Sequence, residues 1–432
     1  MNIVQITPGA GGMYCGNCFR DNALVAELRR QGHTALLLPL YLPMTLEEDD
    51  ASAGTPIFYG GINVYLEQKS ALFRKSPRWL RSLMNAPGLL QWASGRAAKT
   101  RPEDVGELTV SMLRGEEGNQ ARELEELVTW LQEHDKPDVI SLSNAMLAGL
   151  IRRLRKDVGV PVVCQLQGED YFIDAMPTEW RDVAWRTLAE RVAEADLLMA
   201  PSRYFADEMS RRLKLPSDKL RIVPNGIRLD GYSPAPAPPA NPPVLGYFAR
   251  MCPEKGLDTL VEAYLMVKSR NQVPNLKLHI GGGCGPGDEP FVAQLTDRLQ
   301  KRGWAQDVKF FPNVTREEKQ EFMRGLTLFS VPAGYGEAFG LYLLEAWASG
   351  VPVVQPRVAA FTELVERTGG GVLYEPNDAA TLAQLIEQLV VDPKRCRALG
   401  EEGRKVTLEE FTVARMAENV LRVYQEAMAR RG

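Results

Sequence analysis

Short, continuous apolar runs recur along the chain, and most are separated by stretches with apolar residues at helical spacing. "NIVQITP" reads as a strand, residues 18–31 as a helix, and "TALLLPLY" as a second strand. Then come "DVISLSN", "VPVVCQLQG", "DLLMAPS" and "LRIVPNG", divided by helical stretches such as "AMLAGLIRRLRKDVG". Strands that are apolar throughout, rather than at alternate positions, belong to parallel sheets covered on both faces. The pattern predicts a doubly wound α/β domain.

At residue 232 the alternation stops. "YSPAPAPPANPP" cannot continue a helix or a central strand, and it reads as a linker. A second series follows: "VLGYFAR", "LKLHIGGG", "VKFFPNV", "LTLFSVPA", "VPVVQP" and "GVLYEP", again with helices between. The expected architecture is two Rossmann-like doubly wound domains facing one another across a cleft. The boundaries read as 1–235, 236–410 and a closing helix over 411–432. Ligands of such sheets bind outside the carboxyl ends of the strands.

Residues 43–114 break the pattern, and an insertion of that length in a compact domain is usually functional. Its basic cluster of Arg74, Lys75, Arg78 and Arg81 stands beside Phe73, Trp79 and Leu80. Segment 73–83 is thus a candidate for peripheral membrane contact. The simpler reading is a solvated helix packing its aromatics on its own domain.

Composition narrows the class. At 432 residues the chain exceeds one ordinary core, and 45% hydrophobic with 25% charged residues is the balance of a globular protein. No run approaches the ~18 apolar residues of a spanning helix, and no secretory signal pattern opens the chain. Six cysteines, several of them isolated in apolar contexts, suit a reducing compartment, so a cytoplasmic protein is expected. A net charge of -4 gives no reason to expect a nucleic-acid partner.

The most informative stretch is "SVPAGYGEAFGLYLLEAWASGVPVV", residues 330–354. It predicts a strand ending at Pro332, a glycine-rich turn and a helix beginning near Phe339. Amides and dipole at that helix start form an anion site. Glu337 falls in the turn and Glu345 more than a turn into the helix. Alone, such a pair could be a cap and a solvated face residue. In "GYFARMCPEKGLDTLVEAY", residues 246–264, Arg250 ends a strand and Lys255 lies in the following turn. A bidentate guanidinium and a point-charge ammonium at one strand end suit a diphosphate.

These two motifs, in this order and spacing, resemble those of the retaining glycosyltransferases of family 4, which have the GT-B fold. "GAGG" after the first strand, "LRRQGH", "ADLLMAPSRYF" and "LRIVPNGI" resemble that family's landmarks in the first domain. The resemblance implies a hexosyltransferase that takes its sugar from a nucleotide sugar and retains anomeric configuration. It leaves UDP-, GDP- and ADP-linked donors open and does not name the acceptor. By position, Arg250 and Lys255 would hold the donor diphosphate and Glu337 the sugar hydroxyls, these three forming the catalytic set. Glu345 would bind ribose, and the backbone of Phe339, Gly340 and Leu341 would contact sugar or phosphate. Gly11 and Gly12 would approach from the first, acceptor-side domain, and the closing helix would pack back across the domains. No D-x-D stands at a strand end, so neither a metal nor a further cofactor is expected.

One departure concerns the first domain. The family often carries a histidine where this chain has Gln167, which cannot act as a base; Glu169 and Asp170 are candidates to substitute. His33, His134 and His279 read as structural. Arg20 and Asp21, beside the Cys15-x-x-Cys18 pair, are further candidates for the acceptor side. Two other readings are a catalytically idle nucleotide-sugar-binding protein and a thiol-redox protein using Cys15 and Cys18. No second ligand pair supports zinc at those cysteines.

Overall fold

A computed structural model of the protein describes residues 1–9, 16–44, 49–59, 68, 105–134, 136–234 and 242–431. Gly11, Gly12, Cys15, segment 73–83, most of the 43–114 insertion and most of the proline-rich linker lie outside the described residues. The chain divides into two compact units, 1–224 with 413–432, and 225–412.

The first unit is built on a parallel sheet of order β2-β1-β3-β4-β5-β6. Its strands are β1 Asn2–Thr7, β2 Thr34–Pro39, β3 Val139–Leu142, β4 Val162–Gln165, β5 Leu197–Ala200 and β6 Leu220–Ile222. β3, β4 and β5 are buried at every position. That is the signature of strands covered on both faces. The last helix, Val413–Ala429, belongs to this unit: Met416, Val420, Val423 and Tyr424 share a core with Ile3, Leu24, Leu28 and Val163. Arg221 and Glu426 pair beside it.

The second unit is a parallel sheet of order β12-β11-β10-β7-β8-β9. Its strands are β7 Val244–Phe248, β8 Lys277–Gly282, β9 Val308–Pro312, β10 Leu328–Phe329, β11 Val353–Pro356 and β12 Gly371–Tyr374. Renumbered from β7, this is the 3-2-1-4-5-6 order of dinucleotide-binding sheets. Trp347, Tyr247, Phe329 and Phe361 anchor its core, and the Trp347 indole N–H donates to the Gly370 carbonyl at 2.8 Å. Among the described residues no helix is long and apolar enough to cross a membrane.

Two elements differ from expectation. β10 spans Leu328–Phe329 rather than running to Pro332: the Ser330 N–H still donates to the Gly246 carbonyl of β7 at 3.0 Å, and the buried residues 331–333 lie beyond the strand. The stretch 145–158 is not one α-helix but successive 3-10, α and π turns. Gly149 there packs so closely that a Cβ would stand 2.1 Å from the Met112 carbonyl oxygen.

Candidate functional site

β7 and β10 are hydrogen-bonded neighbours whose onward connections run to opposite sides of the sheet. That reversal is the switch point where doubly wound sheets bind ligands. The chain leaving β7 makes a short turn, Pro253–Lys255, then the helix Leu257–Arg270. Gly256 joins them at φ +71°, and a Cβ there would stand 2.1 Å from the Pro332 carbonyl oxygen. The loop after β7 is thus pressed against the backbone of the loop after β10, which brings Lys255 to Glu337.

The Lys255 ammonium is ion-paired with Glu337 Oε1. It also donates to the Tyr335 hydroxyl at 2.9 Å and sits 5.5 Å from that ring's centroid. Burial opposes its charge, but Glu337 and then Tyr335 outweigh burial and hold its pKa above the ordinary lysine value. Tyr342 donates to Glu337 Oε1 at 3.2 Å, and burial followed by the Glu337 charge keeps that phenol protonated. The Glu337 backbone is fixed as well, its carbonyl accepting from the Ala360 N–H at 3.2 Å.

Arg250 is oriented by a residue that the motif comparison did not single out. Its Nε lies 3.1 Å from both carboxylate oxygens of Asp288, and Nη2 lies 2.9 Å from Oδ1. Asp288, only 8% exposed, also accepts from the Gly285 N–H at 3.0 Å, whereas the Arg250 side chain is 62% exposed. The guanidinium is therefore gripped on one edge and open on the rest. The Asp288 hydrogen bond raises its pKa further.

The helix after the glycine-rich turn spans Leu341–Ala348, two residues later than expected. Gly340, at φ +100°, cannot be its first helical residue, and Phe339 is buried against Phe411. Gly340, at the N-cap, has no side chain to cap this helix start, and the Leu343 N–H donates back to the Gly340 carbonyl at 3.1 Å, which leaves the Leu341 and Tyr342 amides as the open donors of the first turn among the described residues. Glu345, one turn in, is not a solvated face residue. Its Oε1 accepts from the Tyr232 hydroxyl at 3.0 Å and pairs with Lys319 Nζ at 2.9 Å. Arg250, Lys255, Glu337, Glu345, Gly340 and Leu341 all belong to the second unit.

In the first unit, Arg20 and Asp21 are 3% and 0% exposed and pair with each other at 2.5 Å, with Arg20 Nη2 also donating to the Ser143 carbonyl at 3.1 Å. So deep a pair would affect an acceptor only by way of its neighbours. Glu169 is also buried, its carboxylate accepting from the Ala145 N–H at 2.7 Å and from Gln167 N–H at 2.9 Å. It ties the loop after β3 to the loop after β4. Burial pushes its pKa up against those hydrogen bonds, and burial raises Asp170 too. Gln167 and Asp170 are half-buried beside it.

The histidines stand in structural surroundings. His134 stacks on Trp130 with ring centroids 4.0 Å apart, His33 lies 3.3 Å from the amino terminus, and His279 packs on Phe311. Cys18 is buried, and burial, helped by Glu254, pushes Cys252 up to about 12. Among the described residues no group of three metal-binding side chains gathers. Sequence reasoning passed over Tyr232, Lys319, Tyr335, Tyr342 and Asp288. Only Asp288 had a local signal, the glycine-rich strand-to-helix turn "IGGGCGPGDEP" in which it stands.

Comparison with known proteins adds the following. Residues 232–406 match the family model of the group 1 glycosyl transferases, and residues 94–230 that of Glycosyltransferase Family 4. An alpha-maltose-1-phosphate synthase of Mycolicibacterium smegmatis is 29% identical over 258 residues, 55% of this chain and 65% of that protein. A D-inositol 3-phosphate glycosyltransferase of Stackebrandtia nassauensis is 30% identical, covering 56% of each. The matched region thus spans less than two thirds of these relatives. Among solved structures, a sucrose-phosphate synthase from Thermosynechococcus elongatus superposes with a TM-score of 0.74 at 19% identity, over 100% of both chains. Anabaena HepE in complex with UDP-glucose gives 0.67 at 17% identity, over 99% of this chain and 100% of that one.

Proposed function

The chain belongs to glycosyltransferase family 4, with the GT-B fold, and from that premise we propose that it transfers a sugar from a nucleotide-sugar donor to an acceptor with retained anomeric configuration. The observation that carries this reading is the meeting of Lys255, Glu337 and an uncapped helix start at the switch point of the second sheet. In this reading the donor diphosphate lies against Arg250, Lys255 and the amides that open Leu341–Ala348. Glu337 accepts hydrogen bonds from the transferred sugar, and Glu345 from the ribose.

The bond from the anomeric carbon to the diphosphate oxygen breaks as the acceptor oxygen bonds to the same face. The acceptor's proton passes to the departing phosphate. Negative charge builds on the leaving oxygen, where Lys255 and Arg250 are already oriented. Removing one preorganised donor of this kind typically costs ~10²–10³ in rate. The charge of the cations and helix amides serves for neutralisation, so no metal ion enters the scheme. Gln167, Glu169 and Asp170 stand at a strand end of the first unit as acceptor-side candidates, with Glu169 serving as a brace.

The test is a thermal-shift and hydrolysis screen over UDP-, GDP- and ADP-linked hexoses, with and without EDTA. One donor series should raise the melting temperature, since saturation at 100 times Kd adds about 2.7 kcal/mol, and turnover should survive EDTA. Stabilisation without hydrolysis or transfer to any acceptor would favour the idle binding protein. No response to any donor would remove the proposal.

A further inference from the structure

Lys319 is an odd residue for its place. Its helix, Arg316–Arg324, opens with a capping box between Thr315 and Glu318 and exposes Glu317, Glu318 and Glu321. Lys319 turns the other way and is only 4% exposed. Its ammonium reaches Glu345 Oε1 at 2.9 Å and lies 5.9 Å from the ring of Phe248, the last residue of β7. Burying an ammonium is costly, and an apolar side chain of similar length would often serve stability as well. A charge kept there calls for a task beyond packing.

The task is visible in how the Glu345 carboxylate is held. Both of its described contacts fall on Oε1: the Lys319 ammonium, and the Tyr232 hydroxyl at 3.0 Å. Oε2 takes no part in either of these contacts. Tyr232 is itself held protonated, by burial and then by the Glu345 charge. With two donors fastening one oxygen, the carboxylate cannot rotate, and the second oxygen keeps one direction. We infer that Lys319 and Tyr232 are positioning residues that aim Glu345 Oε2 at the ribose, and so make the site discriminate a ribonucleotide from its deoxy form. This rests on the donor reading above, and it goes beyond that reading by giving the nucleoside selectivity to two residues that act through Glu345.

A charge-assisted hydrogen bond contributes about 1.5–3 kcal/mol, so loss of one ribose hydroxyl should weaken binding ~10–100-fold. If Oε2 loses its fixed direction, most of that ratio disappears while the contacts to phosphate remain. The ratio is the diagnostic quantity, because a purely structural ion pair would change stability or overall affinity and leave it alone.

The experiment is calorimetric titration of the full chain with UDP, GDP and ADP, followed by the 2′-deoxy and 3′-deoxy forms of whichever binds. Wild type, Lys319→Met and Tyr232→Phe are compared, with melting temperatures recorded. Wild type should favour the ribo form ~10–100-fold, and each variant should bring the ratio to within ~3-fold. Tyr232→Phe removes only a hydroxyl, so it decides the matter if Lys319→Met folds poorly. A ratio unchanged in the folded variants, or wild type blind to the ribose hydroxyls, overturns the inference while leaving the donor reading intact. Absence of binding to all three diphosphates overturns both.

Discussion

The ammonium of Lys255 and the carboxylate of Glu337 form an ion pair. In the proposed reaction each must exchange that partner, Lys255 for a phosphate and Glu337 for sugar hydroxyls. Arg250 likewise pairs with Asp288, and Lys319 with Glu345. Each of these three cations thus has a carboxylate beside it. Lys255→Met and Glu337→Gln should each lower kcat/KM by ~10²–10³. On stability the two should be coupled, with a double-mutant interaction of about 0.5–3 kcal/mol measured by urea denaturation. Simple additivity would mean that the pair does not act as a unit.

Gly256 is where that pair is assembled. At φ +71°, with a Cβ position 2.1 Å from the Pro332 carbonyl oxygen, alanine meets both a strained backbone and a clash that backbone alone must relieve. The left-handed conformation costs roughly 1–2 kcal/mol for a residue with a Cβ, and the clash adds to it. Gly256→Ala should lose more than about 2 kcal/mol of stability and weaken donor binding together. Gly287→Ala, where nothing lies within 4 Å, is the control and should stay within about 0.5 kcal/mol. Equal urea midpoints for the two variants would contradict the argument.

Both sheets were legible because strands such as Val139–Leu142 and Val353–Pro356 are apolar or buried without interruption. Arg250, Lys255, Glu337 and Glu345 were legible because strand, turn and helix follow one another locally. Their partners were not. Asp288 reaches Arg250 from 38 residues away, and Tyr232 reaches Glu345 from 113 away; no local period encodes such contacts. The depth of Arg20 and Asp21 was equally hidden, since a charged pair in a helix ordinarily faces water.

Ala359 opens the helix Ala359–Thr368 with a φ of +50°. The methyl group holds a backbone conformation that costs roughly 1–2 kcal/mol, against about 0.5–1 kcal/mol of extra chain entropy that glycine would lose. Ala359→Gly should thus leave stability equal or raise it by up to about 1 kcal/mol. Ala360→Gly, one residue on and inside the helix, should lower it by about 1 kcal/mol. Thermal melts of both variants test the contrast, and a loss at Ala359 as large as that at Ala360 would refute it.

His279 makes stability depend on pH. Burial first, and then Lys309, lowers its pKa below the ordinary value. The unfolded chain takes up the proton near pH 6.5 while the folded imidazole resists it. Its contribution is therefore complete above that value and is lost as pH falls through the lower, folded value, at no more than about 1.4 kcal/mol per pH unit. His279→Gln should flatten the fall in melting temperature between pH 7 and pH 5. His33, lowered by burial and by the amino terminus, leaves a residual slope. An identical pH profile in the variant would exclude His279 as a source.

Asp288 divides two accounts of Arg250. If the carboxylate merely neutralises the guanidinium, removing its charge should improve affinity for an anionic donor. If it orients the guanidinium, removal should cost rate, because the fork is useful only in one direction. The geometry favours orientation: Asp288 holds Nε with both oxygens and Nη2 with one, while itself fixed by the Gly285 N–H. Asp288→Asn keeps one oxygen to accept from Nε and Nη2 but turns the oxygen that accepts from the Gly285 N–H into a donor, so melting temperature is recorded beside the kinetics to separate a loosened loop from a misdirected guanidinium. We expect kcat/KM to fall about tenfold, near half the free energy of one charged hydrogen bond, with kcat carrying most of the loss. Steady-state kinetics with the donor found in the screen decides it: a kcat/KM at or above the wild-type value would assign Asp288 to charge balance instead.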